Sequence, residues 1–471
     1  MALMGLVATV QAGTFEVAEI LTVPDEAQGF GMGGMSRSGD LDGDGNDDLL
    51  VGADHGSDGG AVYIFHGSPL GLEPPMETVG PDGASSFGLG PALGDLNGDG
   101  VLDVAVGCRA PEDLGCLYVG DGSQLPSPDW IFLEGYGERR HLSHDDMVML
   151  DLDGDGRDEL VGSVFGGALV FDDVLEGGDV AELLVVEDST NRTSLAGGGD
   201  LNGDGFPDIV LGFGEVWVFF GGEGLEDVRT YVDEDVKYFG LVGDIGDVDG
   251  DGFDDLAICA VEPEGEGLVF VYPGSPAGLD QSAARSLDHP QWPSPEDLNW
   301  CGDVDGFGDV DGDGQDDFWI RWGGLHLLYF GDEANSPFEV LGDTVEVWAQ
   351  PIGDVNGDGH ADMGQWVPGS SPEWNATITV YYGACRDRDG DGHCVDIDCD
   401  DDEDAVNPGA SEVQNGVDDD CDGLVDESES TEDTGAPLRP DEPRCSCGHG
   451  SPLAGITGVL GLLALVVRRR R

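Results

Sequence analysis

Lysine and arginine are scarce in this sequence, 18 of 471 residues against 98 aspartates and glutamates. The resulting formal charge of −80 repels polyanions, because binding them needs Lys and Arg to displace counterions. Nucleic acid and anionic surfaces are therefore excluded as partners. Aromatic residues are few as well, at 8%, and an acidic chain poor in aromatics can stay unfolded. Disorder is nevertheless the weaker reading, since 39% of residues are hydrophobic and they recur in short β-rich runs. Helical periodicity is missing: no stretch of the first 384 residues sustains it over three turns. Also absent are a G-x-S-x-G elbow, a P-loop, H-E-x-x-H and zinc-type cysteine spacing. Glycine is abundant instead, 80 residues without the three-residue period of collagen.

What is present is a repeat of about 50 residues, a period that belongs to solenoids and propellers. Its anchor reads Gly-Asp-apolar-(Asp/Asn)-Gly-Asp-Gly-x-x-Asp-apolar-apolar and begins at Asp40, Asp95, Asp151, Asp200, Asp247, Asp309 and Asp354. A short strand follows each anchor, as in Asp208-Ile209-Val210-Leu211-Gly212. A second follows that and usually ends in Gly, as in Glu215-Val216-Trp217-Val218-Phe219-Phe220-Gly221. Runs rich in β-branched and aromatic residues, bounded by Gly and Asp, predict strands. Three to four short strands per unit, repeated radially, make propeller blades. The fold class expected is all-β, a seven-bladed β-propeller over 13–384. The last unit has no outer strand after Gly383, so residues 14–23 are expected to complete it and remove an exposed edge.

Alternate residues of a tight loop can aim their oxygens at one centre, and Ca²⁺ takes six to eight oxygen ligands. Counting the first Asp of the anchor as position 1, carboxylates or amides fall at positions 1, 3, 5 and 9, with a backbone carbonyl at 7. The candidate ligands are Asp40, Asp42, Asp44, Asn46 and Asp48 in unit one, and Asp95, Asn97, Asp99, Val101 and Asp103 in unit two. Units three and four offer Asp151, Asp153, Asp155, Arg157 and Glu159, then Asp200, Asn202, Asp204, Phe206 and Asp208. Unit five offers Asp247, Asp249, Asp251, Phe253 and Asp255, and unit six Asp309, Asp311, Asp313, Gln315 and Asp317. Unit seven offers Asp354, Asn356, Asp358, His360 and Asp362. An EF-hand needs an acid at position 12 on a following helix, whereas position 12 here is Val51, Val106, Gly162, Leu211, Ile258, Ile320 or Gln365. Asp-Gly pairs alone would make turns, but clustered carboxylates repel unless protonated or paired. Lys and Arg are almost absent from these loops. About seven calcium sites, closed at position 9 on a β-hairpin, are the expectation.

The pairs Phe30-Gly31, Phe87-Gly88 and Phe239-Gly240 before anchors, and Val51-Gly52-Ala53 after one, resemble FG-GAP repeats. These are the units of the integrin α N-terminal propeller and of many bacterial surface proteins. Tyr136-Gly137 replaces the pair in unit three, and units four and seven lack it. The resemblance implies a binding or adhesion protein on a bacterial cell surface, with a protein or glycan as ligand and no catalysis. Some propellers of this repeat class occur in polysaccharide lyases and phospholipases, so an enzyme is the alternative. Arg139-Arg140-His141 is then the best basic candidate. A structural, calcium-binding coat is a further possibility. His141 and His144 with Asp145 could hold a transition metal, although a surface loop suits them better.

After Gly383 the composition changes. Residues 385–427 are dense in Asp and Cys and resemble the MopE-type metal-binding motif, except that Gln414 stands where a further Cys is usual. There Asp387, Asp389, Asp391, the carbonyl of His393 and Asp398 repeat the calcium spacing with an acid at position 12. Asp418, Asp420, Asp422 and Asp426 form a second acidic cluster. Ten cysteines suit disulfides in an oxidising compartment; Cys108–Cys116 and Cys259–Cys301 are the expected pairs. Residues 1–12 read as a signal peptide cleaved after Ala12, with no Lys or Arg before the apolar run, which fits a truncated start. Residues 428–450 read as a disordered linker containing Cys445-Ser446-Cys447. An apolar segment and four arginines over 451–471 resemble a myxobacterial-type sorting signal, with a membrane anchor as the alternative. Attachment to the bacterial envelope follows from either.

Overall fold

The computed structural model describes residues 15–425 apart from 22–29, 37–38, 55–58, 82–83, 85, 110–114, 135–146, 177–179, 186–192, 223–224, 226–227, 232–236, 262–266, 288–300, 323–324, 332–337, 341–347, 368–376, 384–392, 394–397, 401–402, 404 and 422. Every described strand belongs to one of seven four-stranded antiparallel sheets. Six sheets are built from consecutive strands, spanning 30–79, 89–134, 147–185, 194–231, 237–287 and 301–340. The seventh takes three strands from 348–383 and its outermost strand, Phe15–Leu21, from the start of the propeller. Phe15 pairs with Gly383 and Leu21 with Ile378. The ring is therefore closed by hydrogen bonds between its two ends, as the missing outer strand of the last unit predicts.

The strand patterns follow from where each strand lies in its blade. Gly60–Phe65 and Glu159–Val164 are buried at every residue, because middle strands are covered by a neighbouring blade on each face. Outermost strands such as Val228–Tyr231 are exposed in part. The core is accordingly a series of seams between blades. Leu50, Val62 and Ile64 of blade one pack with Phe87, Val104 and Val106 of blade two. Ala257 and Val269 of blade five pack with Phe318 and Ile320 of blade six. Ile378 and Val380 of blade seven pack with Val51 and Phe65 of blade one.

Phe30 and Phe87 of the Phe-Gly pairs belong to these seams. Phe87 is fully buried and meets Trp130 edge-on at 4.9 Å, while its carbonyl lies where a Cβ at Gly60 would stand, 1.8 Å away. Gly60 thus admits the turn of the next blade. Of the disulfides, Cys108–Cys116 joins directly paired residues within blade two. Cys259–Cys301 ties the second strand of blade five to the innermost strand of blade six. Both are the pairs expected from sequence. A third, Cys399–Cys421, lies in the C-terminal module.

Among the described residues there is no α-helix, and no helix is long and apolar enough to cross a membrane. The segments 1–12, 428–450 and 451–471 lie outside the described residues, as do Arg139, Arg140, His141, His144 and Asp145.

Candidate metal centre

Each anchor forms the loop between the first and second strands of its blade. In loop one, Asp40 Oδ1 accepts the N–H groups of Gly43 (2.7 Å) and Asp44 (3.1 Å), and its Oδ2 accepts that of Gly45 (2.8 Å). Asp42 Oδ1 accepts from Asp44 N at 3.2 Å, and Asp44 Oδ1 from Asn46 N at 2.9 Å. This wraps the chain around the side chains at positions 1, 3 and 5. The wrap needs φ of +77° at Gly43 and +95° at Gly45, a region that a side chain disfavours. Where position 3 is an amide, the same bond forms: Asn97, Asn202 and Asn356 Oδ1 accept the position-5 N–H at 2.8, 2.8 and 2.9 Å.

Position 9 sits under this loop at the start of the second strand. Asp48, Asp103, Glu159, Asp208, Asp255, Asp317 and Asp362 are all at most 5% exposed. One oxygen of each accepts the N–H of position 2, from Leu41, Leu96, Leu152, Leu201, Val248, Val310 and Val355. In six loops the other oxygen accepts the N–H of Gly67, Gly122, Gly221, Gly274, Gly331 or Gly383. A Cβ on any of these six residues would stand 1.8–2.8 Å from the position-8 carbonyl oxygen, which explains the glycine after the second strand of the hairpin.

Burial, reinforced by neighbouring loop carboxylates, raises Asp103 to about 6, Glu159, Asp208 and Asp255 to about 7, and Asp362 to about 8. Asp317 is driven well above the usual range by burial first and then by Asp311. These are carboxyls placed where the ionised form lacks positive charge, which a divalent cation would supply.

Convergence is direct in several loops. Ligand atoms of Asp40, Asp42 and Asp44 lie within 4.8 Å of one another, as do those of Asp151, Asp153 and Glu159. The same holds for Asp247, Asp249 and Asp251 and for Asp309, Asp311 and Asp317. The donor set is oxygen-only and hard, which suits Ca²⁺.

Two further positions, not evident from the sequence, shape the site. Position 8 stitches loops together: the Oδ2 atoms of Asp47, Asp158, Asp254 and Asp316 accept the N–H of Asp354, Asp95, Asp200 and Asp247, at 2.9, 2.7, 2.6 and 3.0 Å. Their own N–H groups donate to the carbonyls of the same four residues. Position 1 of one blade is thereby clamped by position 8 of the next, and Asp47 with Asp354 extends the clamp across the ring closure. The available signal was the acidic doublet, as in Asp47-Asp48 and Asp316-Asp317. Position 7 also reaches across: Phe206, Phe253 and His360 lie against the position-4 glycines Gly154, Gly203 and Gly312, leaving no room for a Cβ.

Blade one adds a residue that sequence reasoning missed. His66 Nδ1 lies 3.2 Å from Asp48 Oδ2 and 3.6 Å from Asp42 Oδ2.

In the C-terminal module, Asp387, Asp389 and Asp391 lie outside the described residues, as do Asp422 and Asp426. Asp398 is 6% exposed. Its Oδ1 accepts from Asp400 N at 2.9 Å, whereas Oδ2 is buried without a hydrogen bond. Asp418 Oδ2 accepts from Gly423 N, and its Oδ1 is likewise buried and unsatisfied. The Cys399–Cys421 disulfide, Cα to Cα 5.6 Å, holds these two stretches side by side. Buried carboxylate oxygens without donors fit a cation.

A family model described as "FG-GAP-like repeat" matches residues 40–106, and one described as "FG-GAP repeat" matches 191–219. A third, described as "Putative metal-binding motif", matches 398–427. Integrin alpha-V of Gallus gallus is 28% identical over 213 residues, covering 44% of this chain and 17% of that protein. Integrin alpha pat-2 of Caenorhabditis elegans is 26% identical over 266 residues, 51% of this chain and 19% of the relative. Integrin alpha-PS5 of Drosophila melanogaster is 42% identical over 87 residues, 17% and 9% of the two chains. The matched region is thus less than a fifth of each of these relatives. Among solved structures, "Crystal structure of BBS1N in complex with ARL6DN, soaked with lead" covers 74% of this chain and 91% of its own, at 11% identity and a TM-score of 0.45. The chain carries FG-GAP repeats on a seven-bladed β-propeller. It has integrin α chains among its homologues and bears a MopE-like metal-binding motif.

Proposed function

We propose that this protein is a calcium-dependent, non-enzymatic binding protein of the extracytoplasmic surface. The observation that carries the reading is the seven-fold loop, with a buried acid at position 9 beneath acids or amides at positions 1, 3 and 5. In each loop these four side chains and the position-7 carbonyl hold one Ca²⁺. Asp387, Asp389, Asp391, the His393 carbonyl and Asp398 hold another in the C-terminal module. Calcium fastens the hairpins that carry the loops, and the rigid ring presents its surface loops to an extracellular protein or glycan. The domains run from a leader at 1–12 through the propeller at 13–384, the module at 385–427 and the linker at 428–450. Residues 451–471 attach the protein to a bacterial envelope.

Because Ca²⁺ binds the folded state, saturation at 100 times Kd adds about 2.7 kcal/mol per site. The melting temperature should drop by more than 10 °C in EGTA and recover with excess calcium. An unchanged melting temperature would refute calcium as the staple. A pull-down from envelope extract with and without calcium then tests the ligand, which should be retained only with the metal.

A further inference from the structure

We infer that the first-blade loop is the exception to the calcium assignment: it differs from the other six and, through His66, selects a borderline transition cation, of which zinc is the probe, over calcium. The inference rests on the reading of the loops as cation sites. Ligand atoms of Asp42, Asp48 and His66 lie within 4.8 Å of one another, and so do those of Asp40, Asp42 and Asp44. Asp42 belongs to both groups, so the imidazole nitrogen stands beside the loop carboxylates, in ligand range of Asp42 and of the buried Asp48.

The spacing is that of ligands, as well as of hydrogen bonds. With metal–ligand bonds of about 2.1 Å, tetrahedral neighbours stand roughly 3.4 Å apart. Nδ1 of His66 is 3.2 and 3.6 Å from the two carboxylate oxygens. The backbone holds the arrangement: His66 directly follows the hairpin strand Gly60–Phe65, and the next residue, Gly67, donates its N–H to Asp48 Oδ1 at 2.7 Å. Asp48 is fully buried, while the His66 side chain is 23% exposed, so a cation can enter from the solvent side.

No other blade repeats this. The residue at the corresponding place is Asp121, Asp172, Phe220, Pro273, Phe330 or Tyr382, and none offers a side-chain nitrogen. Asp121 is turned towards Ser123 and Gln124. Calcium prefers hard oxygen donors, and imidazole suits zinc and its neighbours. Adding an imidazole nitrogen to the oxygen donors therefore moves selectivity away from calcium at this site alone.

The test uses the full chain in millimolar calcium, titrated with zinc, and counts bound metals after gel filtration. One zinc equivalent should be retained by the wild-type chain, with a histidine multiple-scattering signature in its X-ray absorption spectrum. His66→Gln should bind that zinc at least tenfold more weakly, with calcium bound at the other loops unchanged. Zinc retained equally by His66→Gln, or an all-oxygen shell in the wild-type spectrum, would overturn the inference. The spectrum needs no variant, so a folding defect in His66→Gln does not obscure the answer. If the loops bind no calcium, the general reading fails separately, since zinc at blade one is counted independently.

Discussion

At the scale of single residues, the position-9 carboxylate links fold and site. Asp208 is 1% exposed, and its two oxygens accept the N–H groups of Leu201 and Gly221, each at 3.0 Å. An amide there would turn its NH₂ towards a donor, costing about 1–3 kcal/mol. It would also remove the charge a cation needs. Asp208→Asn should therefore lower the melting temperature in EGTA and lower it further in calcium, with one calcium equivalent lost. Equal deficits in both conditions would show that Asp208 is purely structural.

His326, 1% exposed and packed against Trp319 at 5.0 Å, offers a separate residue-scale test. Burial, then the nearby Arg321, lowers its pKa from 6.5 to about 4. The unfolded chain therefore binds a proton that the folded chain does not between those values. This stability is present above pH 6.5 and lost as pH falls towards 4, amounting to about 3 kcal/mol across that interval. In His326→Leu the fall in stability across pH 6.5–4 should be shallower than in the wild type, whatever the absolute stabilities. Parallel curves from denaturant melts would exclude His326 as a contributor.

At the scale of elements, the acids at positions 1, 3, 5 and 9 were legible because their spacing within one loop is a local property. Position 8 was not, because its partner lies one blade away, 69 residues distant for Asp316 and Asp247. His66 was invisible for a similar reason: only strand pairing, with Leu49 opposite Phe65, brings the end of one strand beside the loop before the other. Asp316→Ala removes the acceptor for Asp247 N while leaving the backbone bond from Asp316 N. It should cost about 1–3 kcal/mol and weaken calcium at loop five, whose first ligand it positions. Equilibrium unfolding and calcium titration of this variant check both effects; a cost confined to stability would mean the clamp does not orient Asp247.

At the scale of the whole molecule, closure depends on Phe15–Leu21 pairing with Thr377–Gly383. Deleting 15–21 uncovers a strand edge and removes Leu21, which is 4% exposed, from the seam between blades seven and one. The deletion should lower the melting temperature by more than 10 °C and promote self-association through the open edge. Light scattering and thermal melts would decide; a monomer of unchanged stability would mean that the six complete blades hold the ring without the closing strand.

The sequence by itself determined the repeat, the strand class, the number of blades, the closing strand and the loop acids. All of these are written in local spacing and in a period that recurs along the chain. Only the tertiary structure decided which loops touch, which acids are buried and where a histidine joins a carboxylate cluster. Those outcomes depend on pairing between strands and on packing between blades, where residues distant in sequence meet at hydrogen-bond range.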